Sequence, residues 1–185
     1  LVERIRAKIP QAFPGCEQPI FSRDGNRIIA IGAIGTPENK NACIWDISSG
    51  ELVATLEHES RVSHLALSPD EKRIAGGDYV GNLFVWDAET REKLWSVREH
   101  EGKFDGLAYS HEGSLIAAVN WDKTLKVFDA TNGEVRFTIR TGAGLRKVMF
   151  SPDSNWICSG SLNGEVPAMV IDVKAGRVVA EFPGD

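Results

Sequence analysis

The sequence has little that could tie it together covalently. Its 185 residues include three cysteines, Cys16, Cys43 and Cys158, which are odd in number, far apart and without a CxxC pair. A disulfide scaffold needs an even set and a thiolate zinc site needs close pairs, so both are excluded. Each cysteine lies in an apolar, strand-like run, which predicts three small buried thiols. Long hydrophobic runs are missing too, since nothing approaches the ~18 consecutive apolar residues of a membrane helix. The first residues, Leu1-Val2-Glu3-Arg4, show neither the basic head nor the apolar middle of a secretory signal. No Asn-x-Ser/Thr sequon occurs. Cations are in deficit, with 21 Lys and Arg against 26 Asp and Glu and a formal net charge of −5. A nucleic-acid or anionic-membrane partner favours the opposite sign. These absences lead us to expect an intracellular chain, cytoplasmic with the nucleus left open, that binds neither nucleic acid nor membrane.

What the chain does have is apolar content and repetition. Apolar residues make up 42%, enough to support a buried core. An aromatic or aliphatic residue followed by Asp recurs as Trp45-Asp46, Trp86-Asp87, Phe128-Asp129 and Ile171-Asp172, at intervals of 41, 42 and 43 residues. A Ser-centred turn recurs in phase as Ser22-Arg23-Asp24-Gly25, Ser68-Pro69-Asp70, Ser110-His111-Glu112-Gly113 and Ser151-Pro152-Asp153. Between these landmarks each unit reads as four short strands with turn chemistry between them, and no helical period occurs anywhere. In the second unit, Val62 to Ser68 alternates, Arg73-Ile74-Ala75 resumes an apolar run, Leu83 to Trp86 is apolar throughout, and Lys93 to Val97 mixes charge with apolar residues. The third strand of each unit is thus buried on both faces, and the fourth is a sheet edge. Connections this short make the sheets antiparallel. A four-stranded sheet repeated about every 42 residues is a propeller blade.

These residues resemble the WD40-repeat β-propeller family. The likeness rests on Ser68-Pro69-Asp70, Ser151-Pro152-Asp153, Trp45-Asp46, Trp86-Asp87 and the Gly-Glu starts at Gly50-Glu51 and Gly133-Glu134. The resemblance implies an all-β propeller of four four-stranded antiparallel WD40-type blades, about half of a seven- or eight-bladed ring. The expected boundaries are an extra outer strand and linker over residues 1–15, then blades over 16–56, 57–97, 98–139 and 140–185. The family opens its units with Gly-His, whereas here His58 and His100 follow Glu57 and Glu99, and the fourth unit has Thr141-Gly142-Ala143. The family's turn Asp is matched by Asp122, Asn163 stands in for it in the fourth unit, and Val80 holds its place in the second. The family's Asp–His–Ser–Trp network is therefore expected to be incomplete in every blade.

A search for chemistry finds little. The chain contains no phosphate loop, His-Glu-x-x-His pair, nucleophile elbow or calcium loop, so no catalytic, cofactor-binding or metal-binding residues are assigned. His58 and His100 fall in the family's Gly-His slot and are expected to form structural hydrogen bonds. His64 has no metal-motif partner, and His111 sits solvated in a turn. Asp46, Asp87, Asp129 and Asp172 are spaced as turn formers. Trp95 and Trp156 are expected to pack. The resemblance places partner-contacting residues where first strands begin and beside the turn-Asp position, on the upper face. Those places hold Arg61, Ser63 and Tyr79 in the second unit, Lys103, Asp105 and Trp121 in the third, and Arg146 and Leu162 in the fourth. The first unit supplies Glu17 and, from an insertion of about five residues between Ala33 and Lys40, Glu38. Tyr, Trp and Arg are the types that dominate interface hot spots.

The expected function is a non-catalytic scaffold that binds a protein or peptide through these loops. An alternative is a structural half-propeller that completes a larger ring, either by forming a homodimer of eight blades or as part of a longer regulatory chain. A third reading, a propeller enzyme, has no nucleophile–base pair to stand on. Four blades span only about half a circle and leave apolar flanks, and the segment Val2 to Ile9 could complete the last blade of a second copy.

Overall fold

The computed structural model describes residues 17–32, 41–142, 144–161 and 167–182. Within them lie sixteen strands in four antiparallel sheets and no helix. The first sheet holds β1 (Glu17–Phe21), β2 (Arg27–Ile31), β3 (Ala42–Asp46) and β4 (Leu52–Leu56). The second holds β5 (Val62–Leu67), β6 (Arg73–Asp78), β7 (Asn82–Asp87) and β8 (Lys93–Arg98). The third holds β9 (Phe104–Tyr109), β10 (Leu115–Asn120), β11 (Thr124–Asp129) and β12 (Val135–Arg140). The fourth holds β13 (Lys147–Phe150), β14 (Trp156–Gly160), β15 (Ala168–Asp172) and β16 (Arg177–Phe182). Each sheet is a simple meander. The expected segment Val2 to Ile9, the insertion at 33–40 and Cys16 lie outside the described residues, as do Glu38, Leu162 and Asn163.

The Ser-centred turns join first to second strands by one device. Ser68 Oγ accepts the Arg73 amide at 2.9 Å and donates to Asp70 at 2.6 Å, while Asp70 accepts the Lys72 amide at 3.1 Å. The first and fourth units repeat this set. In the third, Glu112 replaces the acid and takes the Ser114 hydroxyl instead. Third and fourth strands are joined by the recurrent aspartates, whose carboxylates accept backbone amides two or three residues on, as the turn-forming reading expects. A bulge precedes the residue before each Asp, at Ile44/Trp45, Val85/Trp86, Val127/Phe128 and Val170/Ile171. Bulges raise local twist, and here they recur at the same register in every sheet.

The sheets stack in chain order with their first strands innermost: β1 and β2 pack on β5, β5 and β6 on β9, and β9 and β10 on β13. Every interface pairs an aromatic-bearing leading face with an aliphatic trailing one. Phe84 and Trp86 of the second sheet pack on Ile29, Ile31, Ile44 and Leu56 of the first. Phe104 and Phe128 of the third meet Ala66, Ala75, Leu83 and Val85. Phe150, Ile157 and Ile171 of the fourth meet Ala117, Val119, Leu125 and Val127. Gly77 permits the closest of these approaches, because a Cβ there would lie 2.4 Å from the Phe104 ring.

The last sheet has no successor among the described residues. The row Ala108–Ala117–Val127–Phe137 of the third sheet is covered by the fourth. The matching row of the fourth is Met149–Cys158–Val170–Ala180. Met149 is 59% exposed, and Cys158 is exposed beside it. Two expectations are corrected here: Cys158 is not a buried thiol and Trp156 is not packed, because the face that carries them lies open. Cys43 is buried as expected, and Trp95 packs half-buried with its indole N–H on the Ala130 carbonyl at 3.2 Å.

The fourth residue after each strand-ending Asp is left-handed: Gly50, Arg91, Gly133 and Gly176 have φ of 74°, 69°, 78° and 62°. Only Arg91 carries a side chain there. We expect Arg91→Gly to raise stability by about 0.5–1 kcal/mol in urea unfolding, by relieving the left-handed cost. Gly133→Ala, whose Cβ would sit 2.8 Å from the Trp95 ring, should lower it by about 1–3 kcal/mol. Midpoints that move the same way in both variants would refute this account.

Candidate functional site

The upper end of the stack is where first strands begin and second strands finish. Backbone bonds fix its turns. The Tyr79 amide donates to the Arg61 carbonyl at 3.0 Å, and the Trp121 amide to the Lys103 carbonyl at 3.2 Å. Under Tyr79, the fully buried Asp78 accepts the amides of Val80 and Asn82 at 2.9 and 2.8 Å and the Asn82 side-chain amide at 2.7 Å. The turn acid of the second unit is therefore Asp78, two residues before the Val80 position read from the sequence. Asn120 does the same work under Trp121, reaching the Gly102 carbonyl at 2.7 Å and accepting the Asp122 amide at 3.0 Å. With their turns anchored, both rings face outward, Tyr79 at 37% and Trp121 at 60% exposure.

Six of the expected residues form one continuous line across the four sheets. Glu17 pairs with Arg61 at 2.8 Å. The Arg61 guanidinium lies 5.3 Å from the Tyr79 ring centre and the Lys103 ammonium 5.2 Å from it. Lys103 faces Asp105 at 3.5 Å, and Arg146 faces the same oxygen at 3.9 Å. Two expectations about exposure are corrected. Ser63 and Asp105 are buried, because the innermost strands that bear them are flanked by neighbouring sheets. Ser63 donates to the Gly77 carbonyl at 3.0 Å and offers nothing to a partner. Asp105 acts instead as a buried counter-charge beneath two cations.

The histidines divide. His100 Nδ1 bonds Asp122 Oδ2 at 2.8 Å and lies 3.1 Å from the Thr124 hydroxyl, the structural role expected of its slot. Burial would raise the Asp122 carboxyl, but Thr124, the Glu101 amide and His100 outweigh it and hold it below its ordinary value. His58 makes no ring hydrogen bond and packs edge-on against Phe84, with centroids 3.8 Å apart. Its expected hydrogen-bonding role is thus corrected: the acid at Asp78 is spent on its own turn. His64 was not singled out for a structural role, yet it ties three sheets. Its Nδ1 lies 2.9 Å from the Phe104 carbonyl and its Nε2 3.3 Å from the Gln18 amide nitrogen. A lone polar ring in the middle of an innermost strand was the only signal of this. His111 is exposed, as expected. Among the described residues, no three His, Cys, Asp or Glu side chains converge as metal ligands.

The fold and its repeated turns define a class, the WD-type β-propeller. The family model described as "WD domain, G-beta repeat" matches residues 50–87, 91–129 and 134–166, more than half the chain, and the chain belongs to that WD40 family. The first match begins just before β4 and ends with β7, so one sequence repeat spans two adjacent sheets. Over 65 residues the chain is 35% identical to the human Angio-associated migratory cell protein, and equally to those of Pongo abelii and Canis lupus familiaris. That stretch is 35% of this chain and 15% of those relatives. The fold is similar to a chain in the Crystal Structure of Mitotic Checkpoint Complex, with a TM-score of 0.80 and 20% identity, over 93% of this chain and 51% of that one. Proteins of this family are in general protein-interaction scaffolds without catalysis of their own.

Burial lowers the His58 pKa from 6.5 to about 4. A folded value below the unfolded one means that this group's contribution to stability is present above pH 6.5 and is lost as the pH falls toward 4. We therefore expect the thermal midpoint to drop over that window, and His58→Leu to reduce the drop. An unchanged profile in the variant would refute the assignment.

Proposed function

We propose that the chain is a non-catalytic scaffold that binds a protein or peptide through its upper end, as an intracellular and chiefly cytoplasmic component. The observation that carries this is the pair of exposed rings on anchored turns, Tyr79 between two cations and Trp121 beside it in the next sheet. Rigid aromatic side chains bind at low entropic cost, and the turns beneath these two hold them in place. Nothing in the described residues supplies a nucleophile beside a base. The mitotic checkpoint neighbour is a multi-protein complex, which agrees with a role in assembly.

The open face of the fourth sheet favours a second reading alongside the first: the four blades complete a larger ring, with a second copy or within a longer chain. Met149 and Cys158 repeat register positions that the earlier sheets cover with the next, and Phe182 is exposed on the same face. Phe21 and Leu52 of the first sheet are exposed and could meet them head to tail.

Each reading has its test. Trp121→Ala and Tyr79→Ala should weaken peptide capture at least about tenfold, the scale of an aromatic hot spot, while leaving circular dichroism unchanged. Capture equal to wild type in both would refute the upper-end reading. For self-assembly, light scattering should give about twice 20.3 kDa, and Met149→Asp should return it to the monomer. A wild-type chain that is monomeric at all concentrations would refute pairing with a second copy.

A further inference from the structure

This inference rests on the upper-end reading and names the partner's chemistry. We propose that the surface running from Arg61 across Tyr79 and Lys103 to Arg146 takes an acidic peptide segment, one oxyanion side chain beside an apolar residue.

Charge is the first argument. On a chain of net charge −5, this line gathers three cations whose side chains remain 48%, 29% and 44% exposed, at Arg61, Lys103 and Arg146. Glu17 serves Arg61, and the single buried carboxylate of Asp105 is shared by the other two. Asp105 meets them at 3.5 and 3.9 Å, and among the described residues neither Lys103 nor Arg146 makes a side-chain hydrogen bond. Among the described residues their N–H donors are therefore uncommitted, and one negative charge faces two positive ones. Two further acids of this end are committed elsewhere, Asp122 to His100 and Thr124, and Glu99 to Lys126.

The aromatic geometry makes the second argument. A Tyr ring that already has cations 5.3 and 5.2 Å from its centre repels a third, so this is no cage for lysine or a quaternary amine. An oxyanion drawn to Arg61 and Lys103 at the margin of that ring, away from its negative face, is favoured instead, and a guanidinium binds a carboxylate or phosphate with two parallel donors. The exposed Trp121 offers an apolar seat one sheet away.

The loops entering the second and third sheets carry the third argument. Glu57, Glu59 and Glu101 are exposed there, so these loops add acidic charge next in the chain to the cations. That charge disfavours a continuous polyphosphate backbone, which binds by having its charges neutralised along its length.

The experiment is a selection of random twelve-residue peptides on the 185-residue chain, followed by anisotropy on a synthesised binder. That binder is made in three forms: as selected, with its acids changed to amides, and with phosphoserine in place of one acid. We expect the selection to enrich Asp and Glu. The amide form should bind at least about tenfold more weakly, and the phosphoserine form shows whether carboxylate or phosphate is preferred. The double variant Arg61→Gln/Arg146→Gln, which leaves Asp105 its Lys103, should weaken the acidic form roughly three- to tenfold and leave the amide form unchanged. The Arg61→Lys/Arg146→Lys variant should recover part of the loss. Binders without acids, or an amide form that binds equally, would overturn the acidic-partner proposal. So would a single-stranded oligonucleotide that displaces the peptide at lower concentration than free peptide does. If Trp121→Ala still weakens such binders, the upper-end reading survives alone; if it does not, both fall.

Discussion

The structure depends on one repeated contact, an aromatic-bearing face of each sheet pressed on the aliphatic face of the sheet before it. Trp86 and Phe84, then Phe104 and Phe128, then Phe150 occupy that place in turn. Truncating a buried aromatic of this size costs about 3–5 kcal/mol, against about 0–1 kcal/mol for an exposed ion pair. Packing between sheets therefore outweighs the ties made at either end of the stack. Those ties set registration instead: Arg23 on the Pro69 carbonyl at 2.6 Å, His111 on Ser154 at 2.9 Å, and His64 bridging from Gln18 to Phe104.

The same contact explains the upper surface. Because the first strands are innermost, the residues that begin them come close together around the axis. Charges from different sheets then share partners, as Lys103 and Arg146 share Asp105. Asp78 and Asn120, buried beneath the turns, turn two aromatic rings outward rather than into the core. It explains the exposed flank as well. A sheet made to be covered on both faces shows Met149, Cys158 and Phe182 where none of the described residues covers it.

Much of this was legible along the chain. Ser22, Ser68, Ser110 and Ser151 mark the turns because a serine hydroxyl can accept the amide five residues on, a strictly local bond. Tyr79 and Trp121 could be named because the resemblance to the WD40 family places contact residues just before the turn-Asp position. The burial of Ser63 and Asp105 was not legible, since it comes from sheets about 40 residues away. Nor was the acid at Asp78, because its partners Val80 and Asn82 show only once the turn closes. His58 shows the reverse failure: its slot predicts a hydrogen bond, and Asp78 is engaged elsewhere.

The three cysteines make the division plain. From the sequence alone it followed that they could not staple the chain, because their number and spacing forbid it. The sequence likewise determined the four-stranded period, the turn chemistry and the family, since each rests on bonds between residues close in the chain. Which cysteine is buried and which is bare was decided only by the tertiary structure: Cys43 is shielded, whereas Cys158 sits on the face of the last sheet. Burial is a property of what lies across an interface, and for a stacked repeat that neighbour lies a whole blade away.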